Sequence, residues 1–235
     1  MFISRCKIPT YKRKTLVKLF TSGATARGAA RIVGVNRNTA ALFFRKIRAV
    51  LAAQDRAEAV GTVEVDETYL SSGKGGRKAA RRGRNLAGKF CILGAVERGT
   101  RKTHLEEATS TRATKLESFC IRNAGRADCV HTDAFTGYKH LTECGFKHHR
   151  VNHFITFKNR ITGACTNLIE SVWACLKRHF ARFCGGWRHN LHLWLAEVEK
   201  RFEYAGQFGA YVEKVLRDVW RKRLTKKRRQ KCSAL

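Results

Sequence analysis

The strongest constraint on the fold is a run of three strand-like segments with no helical pattern between them. They occupy residues 62–70, 90–97 and 102–109, and the first alternates valines with polar residues. Downstream the pattern changes to helix, strand, helix, strand and two helices. Consecutive strands favour an antiparallel meander, and strands that alternate with helices favour parallel additions to the same sheet. The sequence therefore predicts an α/β domain in which helices flank a mixed sheet.

The periodicity divides the chain into three parts: residues 1–55, 61–205 and 206–235. The first part has a helical pattern, the second carries the α/β pattern, and the third combines an amphipathic helix with a basic tail. We place the first boundary near residue 55, because the surrounding stretch is small, polar and without periodicity.

The N-terminal part contains two short predicted helices that are joined through Gly34. This arrangement fits a helix-turn-helix, in which the second helix enters the major groove of DNA. A plain three-helix bundle is the alternative, and the local excess of Lys and Arg favours the DNA-binding interpretation. The residues predicted to read DNA open the second helix: Asn36, Arg37, Asn38 and Thr39.

The charge of the chain indicates a polyanionic partner. Lys and Arg outnumber Asp and Glu by 48 to 18, which gives a formal net charge of +30. Nucleic acid is the commonest partner of this kind, and an anionic membrane surface is the weaker alternative. Together with the helix-turn-helix pattern, the charge favours double-stranded DNA. A basic, glycine-rich loop follows the first strand, and 221–231 forms a second basic segment; a solvated loop and tail are the alternatives. The loop residues predicted to contact phosphates are Lys74, Arg77, Lys78, Arg81 and Arg82.

The cysteines and the apolar segments narrow the class of protein further. Nine cysteines are scattered without a C-x-x-C pair, so we interpret them as reduced and mostly buried. A zinc site formed by Cys144, His148, His149 and His153 is a less favoured alternative. No apolar run approaches the roughly eighteen residues that span a bilayer, and the first residues lack a signal-peptide core. We therefore expect an intracellular protein that does not contact membranes.

Acidic residues are scarce in this chain, so their positions are informative. Asp66 lies in the first strand, Asp133 lies where a later strand ends, and Glu170 lies at the rim of an amphipathic helix. Three carboxylates at one sheet edge repel one another unless cations separate them, and Mg²⁺ or Mn²⁺ suits such oxygen ligands. Glu67 is an alternative to Asp66 as the carboxylate of this strand. Only one of the two can belong to the site, because side chains of adjacent strand residues point to opposite faces. Two such ions could activate a water molecule and stabilise the leaving oxygen of a phosphodiester. Lys177 lies on the same helix rim as Glu170, and we expect it to face the phosphates of that substrate.

Several separated motifs resemble one known family over nearly the whole chain. They are VEVDETYL, GAVERG, VHTDAFTGY, RVNH and TGACTNLIESVWACLKR, in that order. The N-terminal segment that precedes them resembles the helix-turn-helix of the same family. Together they resemble the ISXO2-like DDE transposases of bacterial insertion sequences, whose eukaryotic relatives are the Merlin transposons. The basic loop departs from the family's usual pattern, and the zinc ribbon of many relatives has no counterpart here.

The resemblance implies a ribonuclease-H-like catalytic domain that cleaves DNA and transfers strands with two Mg²⁺ or Mn²⁺ ions. The implied catalytic and metal-binding triad is Asp66, Asp133 and Glu170, and Asn167 is implied to support it. We expect the protein to bind terminal inverted repeats as a homodimer or higher oligomer. We expect it to be localised in the cytoplasm and nucleoid if it is bacterial, or in the nucleus if it is eukaryotic. A nuclease without joining activity and a catalytically silent DNA-binding protein are the alternatives.

Overall fold

The computed structural model describes residues 7–71, 89–151 and 165–232, and for residues 220 and 222–232 it describes the backbone alone. The helices are α1 (Thr10–Thr21), α2 (Ala26–Val33), α3 (Arg37–Ala52), α4 (Ala113–Ala124), α5 (Asn167–Ala181), α6 (Leu191–Glu203) and α7 (Phe208–Cys232). The strands are β1 (Val60–Ser71), β2 (Lys89–Glu97), β3 (Thr103–Ala108), β4 (Arg126–Asp133) and β5 (His148–Val151). Short 3₁₀ turns occur at Thr136–Tyr138 and Gly186–Arg188.

The chain forms two compact units. One unit combines the residues up to Gln54 with those from Tyr204 onward, and the other is Asp55–Glu203. Residues 206–235 are predicted from the sequence to form a separate part. In the structure, α7 shares the hydrophobic core of the N-terminal helices. The core of this helical unit is formed by α1, α2, α3 and α7, through residues that include Leu16, Phe20, Phe43, Phe44, Ile47, Phe208 and Val212.

The backbone of α7 extends through the segment that the sequence predicts to be a basic tail. The helix ends at Cys232, and residues 221–231 are therefore helical. Lys, Arg and Gln have high intrinsic helix propensity, and the segment contains no Pro or Gly that would end the helix. A helical backbone arranges the basic residues at fixed spacings along one axis.

Local capping determines how α2 and α3 are connected. The Thr25 side chain accepts a hydrogen bond from the Gly28 N–H at 3.1 Å and caps the start of α2. Gly34, which has a left-handed φ of 64°, ends this helix. Asn36 then caps α3, because its Oδ1 accepts from the Asn38 N–H at 2.8 Å. The two helices are thus joined by a tight turn through Gly34.

The second unit contains the predicted mixed sheet, with strand order β3-β2-β1-β4-β5. β1 pairs antiparallel with β2, and β2 pairs antiparallel with β3, as predicted for the meander. β4 is parallel to β1, and β5 is parallel to β4, as predicted for the later strands. The prediction of an α/β domain with a mixed sheet is therefore confirmed.

Helices cover both faces of this sheet. On one face, α5 and α6 pack Ile169, Val172, Trp173 and neighbouring side chains against Leu70, Ile92, Val96 and Leu105. On the other face, α4 packs Leu116, Phe119 and Cys120 against Val63, Val65 and Val130. β1 consequently has buried side chains on both faces, and its polar residues lie under helices rather than in open solvent.

The segment after β4 differs from the sequence-based prediction. A helix is expected there, but the structure has only the 3₁₀ turn Thr136–Tyr138. The Asp133 side chain accepts a hydrogen bond from the Phe135 N–H at 2.9 Å, which turns the chain directly after the strand. A Cβ at Gly137 would lie 2.6 Å from Leu116 Cδ1, so a close approach to α4 also shapes this turn.

Candidate active site

The polar residues of β1 separate onto the two faces of the sheet. The Asp66 Oδ2 accepts a hydrogen bond from the Trp173 indole of α5 at 2.8 Å. The Glu67 Oε2 accepts one from the Tyr138 hydroxyl at 3.0 Å, and both of these side chains are buried on the α4 face. Asp66 and Glu67 therefore point in opposite directions, as the alternation of a strand requires.

The register of the parallel strands brings Asp66 next to Asp133. Glu64 of β1 lies beside His131 of β4, and the two strands run in the same direction. Asp66 and Asp133 each lie two residues beyond this last pair, on the same face of the sheet as Glu64 and His131, and Asp133 is the last residue of β4. The Asp133 carboxylate is close enough to Asp66 to influence the pKa of Asp66.

The environment of Asp66 disfavours its charged form. Burial raises the pKa of the Asp66 carboxyl from its ordinary value of 3.8 to about 7, and the Glu67 and Asp133 carboxylates also act to raise it. The hydrogen bonds from Trp173 and from the backbone of Glu67 act in the opposite direction. A half-buried carboxyl with a raised pKa beside a second carboxylate is a common feature of catalytic sites.

Glu170 and the other site candidates of the C-terminal half lie on α5, the helix whose Trp173 contacts Asp66. Glu170 is in the first turn of α5, one turn before Trp173, and its side chain is exposed. Asn167 and Lys177 on the same helix are also exposed. Across residues 7–71, 89–151 and the described part of 165–232, no three His, Cys, Asp or Glu side chains are grouped closely enough to hold a metal ion.

The start of α5 is held to the sheet by a residue that sequence reasoning overlooks. The buried Glu64 Oε2 accepts hydrogen bonds from the N–H groups of Leu168 and Ile169, at 2.8 and 3.0 Å. The helix's own N-cap residue, Thr166, makes no side-chain capping bond. Glu64 therefore neutralises the positive end of the helix that carries Glu170.

Arg98 completes this connection. Its Nε donates to Glu64 Oε1 at 2.7 Å, and its Nη2 donates to the Cys165 carbonyl at 3.0 Å. The sequence offers one indication of this role of Glu64: it lies two residues before Asp66, so both side chains lie on the same face of β1. The partners at residues 98 and 168 are distant in sequence, and no local pattern predicts them.

The carboxylates of Asp66 and Asp133 fit a divalent cation. Mg²⁺ and Mn²⁺ prefer oxygen ligands, and they are often held by one or two carboxylates with other positions left for water and substrate phosphates. A cation between the two aspartates would offset the repulsion and the desolvation that raise the pKa of Asp66. Asp66 and Asp133 are thus the residues of the described chain that could share such an ion, with Glu170 on the neighbouring helix end.

The predicted DNA contacts fall partly within the described structure. Arg37 and Asn38 are exposed at the start of α3, Thr39 is half-buried, and Asn36 uses its Oδ1 to cap the helix. The loop residues Lys74, Arg77, Lys78, Arg81 and Arg82 lie outside the described residues.

The zinc alternative gains no support from the structure. Among the residues that the structure describes, Cys144, His148 and His149 belong to no group that could hold a metal. His148 instead contacts the Thr132 hydroxyl at 2.9 Å, and His153 lies outside the described residues.

The five-stranded order, with two antiparallel pairs followed by two parallel pairs, fits a ribonuclease-H-like α/β domain. The chain belongs to the ISXO2-like transposase family, because that family's domain model matches residues 58–203. This match confirms the resemblance to the DDE transposases of insertion sequences.

A relative from Haemophilus influenzae is similar over a shorter stretch. It is described as an uncharacterized transposase-like protein, and the two chains are 37% identical over 76 residues. The aligned region covers 31% of this chain and 58% of that protein. In the described part of the chain, no helix combines the length and the apolar character needed to cross a membrane.

Proposed function

We propose that the protein is a DDE transposase that binds transposon ends, cleaves them and joins them to target DNA. The observation that carries the proposal is the placement of Asp66 and Asp133 on adjacent parallel strands, within the region that matches the transposase family. The carboxyl end of β4 and the start of α5 then form the reaction centre, and Glu170 supplies the third carboxylate.

Each of these residues has a defined task in the proposed reaction. Asp66 and Asp133 hold one or two Mg²⁺ or Mn²⁺ ions, and Glu170 completes the ligand set from the first turn of α5. When bound, the ions activate the attacking oxygen and stabilise the leaving oxygen of a phosphodiester. Asn167 supports the ligands from the first position of α5, and the exposed Lys177 contacts a substrate phosphate.

The helical unit is proposed to recognise the terminal repeats as a helix-turn-helix. α2 and α3 are joined by the tight turn at Gly34, and exposed polar residues open α3. In this arrangement α3 enters the major groove, and its first residues approach base edges. The basic segments 74–84 and 221–231 contact phosphates without reading sequence, and the active form is a homodimer or higher oligomer on DNA inside the cell.

Replacing Arg37 or Asn38 with alanine is expected to weaken binding to the terminal repeat more than binding to random DNA. A bidentate side-chain contact to a base discriminates by roughly 1–3 kcal/mol, whereas phosphate contacts do not depend on sequence. Fluorescence anisotropy on both DNAs at one salt concentration measures the difference, with Arg27→Ala on the preceding helix as a control. An equal loss on the two DNAs would assign these residues to the backbone.

A strand-joining assay tests the proposed reaction. The chain is incubated with a labelled transposon-end duplex that has a free 3′-hydroxyl, a target plasmid, and Mg²⁺ or Mn²⁺. We expect metal-dependent cleavage of uncut ends and covalent transfer of the label to the plasmid. Cleavage without transfer would identify a nuclease, and binding without either reaction would identify a silent DNA-binding protein.

A further inference from the structure

A tryptophan from the helix that carries Glu170 contacts the first aspartate directly. The Trp173 indole Nε1–H donates to Asp66 Oδ2 at 2.8 Å, and Trp173 is only 5% exposed. The indole N–H can only donate, so it pairs with a carboxylate oxygen and cannot bind a metal ion itself. One oxygen of Asp66 is thereby held in place by α5.

The sheet is shaped to admit this indole. Gly94 of β2 pairs directly with Asp66 in the ladder. A Cβ at Gly94 would lie 2.3 Å from Trp173 Cη2 and 2.8 Å from its Cζ2. Gly94 has no left-handed φ, so the space that glycine leaves, and not its conformational freedom, is what the position requires.

We propose that Trp173, seated over Gly94, is a positioning residue that fixes the orientation of the Asp66 carboxylate for metal binding. The inference rests on the proposed function, because it assumes that Asp66 is a metal ligand. With Oδ2 engaged by the indole, the remaining oxygen is available to an ion shared with Asp133. Trp173 also joins the position of Asp66 to that of Glu170, since the two residues on α5 are one turn apart.

Partners that orient metal ligands have a measurable effect on affinity. Loss of such a hydrogen bond reduces metal affinity by roughly 10–100-fold. Trp173→Phe removes the N–H and keeps most of the apolar packing. Gly94→Ala keeps the indole but leaves it no room in its observed position, so both substitutions are expected to reduce the affinity of the Asp66 site.

Titration of Mn²⁺ into the intact chain, followed by electron paramagnetic resonance, tests the inference without any DNA reaction. The binding that Asp66→Ala removes defines the site of interest. Trp187→Phe is the matched control, because Trp187 is buried in the same core but stacks on Phe180, with ring centroids 4.8 Å apart. Far-UV circular dichroism verifies that each variant is folded.

The expected result is a roughly 10–100-fold weaker Mn²⁺ affinity in Trp173→Phe and in Gly94→Ala, with Trp187→Phe unchanged. If Asp66→Ala removes a Mn²⁺ site and the folded Trp173→Phe variant keeps wild-type affinity, the positioning role is overturned while the proposed function stands. If Asp66→Ala binds Mn²⁺ as the wild type does, the metal site of the proposed function is overturned, and the positioning role with it.

Discussion

Asp66→Asn is expected to reduce cleavage of transposon ends to background and, at the same time, to stabilise the metal-free protein. The amide cannot replace a carboxylate as a ligand of Mg²⁺ at a site that depends on negative charge. The stability effect follows from the pKa of Asp66, which burial raises from 3.8 to about 7. A neutral side chain of the same shape removes the cost of burying that charge.

The sign of the stability effect depends on pH. Below about pH 3.8 the Asp66 carboxyl is protonated in the folded and unfolded states, so the wild type and the variant carry the same charge at this position. Between about pH 3.8 and pH 7 the unfolded state releases the proton that the folded state retains, so the wild type progressively loses stability that the variant keeps, and the loss is complete above the folded-state pKa of about 7. One pKa unit corresponds to about 1.36 kcal/mol. Because Asp66 is only half-buried, water screens part of the cost of its charge, and we expect Asp66→Asn to raise the free energy of unfolding by about 2 kcal/mol at pH 8.

Thermal unfolding of wild type and variant at pH 5 and pH 8, without metal, measures this difference, and a cleavage assay measures the activity. Glu67→Gln is the matched control, because Glu67 is the adjacent carboxylate on the opposite face, bonded to Tyr138. We expect Glu67→Gln to retain cleavage. Normal cleavage by Asp66→Asn combined with loss in Glu67→Gln would place the active site on the other face of the sheet.

Glu64→Ala is expected to destabilise the α/β unit by about 3 kcal/mol, because removing one member of a buried ion pair leaves the other charge without its partner. The substitution also leaves two N–H groups at the start of α5 without the acceptor that Glu64 provides. The Arg98 side chain is 31% exposed, so water compensates part of the loss.

Urea unfolding followed by tryptophan fluorescence checks this prediction, since three of the four tryptophans lie in the α/β unit. Glu106→Ala is the control: Glu106 pairs with Arg122 at 2.8 Å, but both side chains are largely exposed. That pair is expected to contribute less than about 1 kcal/mol. Equal effects of the two substitutions would show that Glu64 does not anchor α5.

The sheet could be predicted because its determinants are local. Strand periodicity in 62–70, 90–97 and 102–109 requires only neighbouring residues, and the meander follows from consecutive strands. The sequence alone does not show whether Asp66 or Glu67 faces the site, because strand alternation requires only that the two side chains lie on opposite faces. The partners Trp173 and Tyr138 distinguish the two residues in the structure.

The features that escape prediction depend on contacts that no local hydrophobic pattern shows. A helix is expected after β4, but the structure has a 3₁₀ turn, in which the Asp133 side chain accepts from the Phe135 N–H and Gly137 packs closely on Leu116. The anchoring of α5 by Glu64 and Arg98 escapes prediction for the same reason, since these residues are remote from the start of α5 in sequence. The role of α7 in the helical core likewise depends on contacts with α1 and α3.

Asp66, Asp133 and Glu170 are proposed to surround one metal site, and metal-directed cleavage of the polypeptide tests this arrangement most directly. Fe²⁺ replaces Mg²⁺ in the intact chain, and ascorbate with peroxide then cuts the backbone next to the bound ion. We expect cuts near residues 66, 133 and 170 that excess Mg²⁺ or Mn²⁺ suppresses and that Asp66→Ala abolishes. Cuts that persist in Asp66→Ala, or that avoid both β1 and β4, would contradict the account.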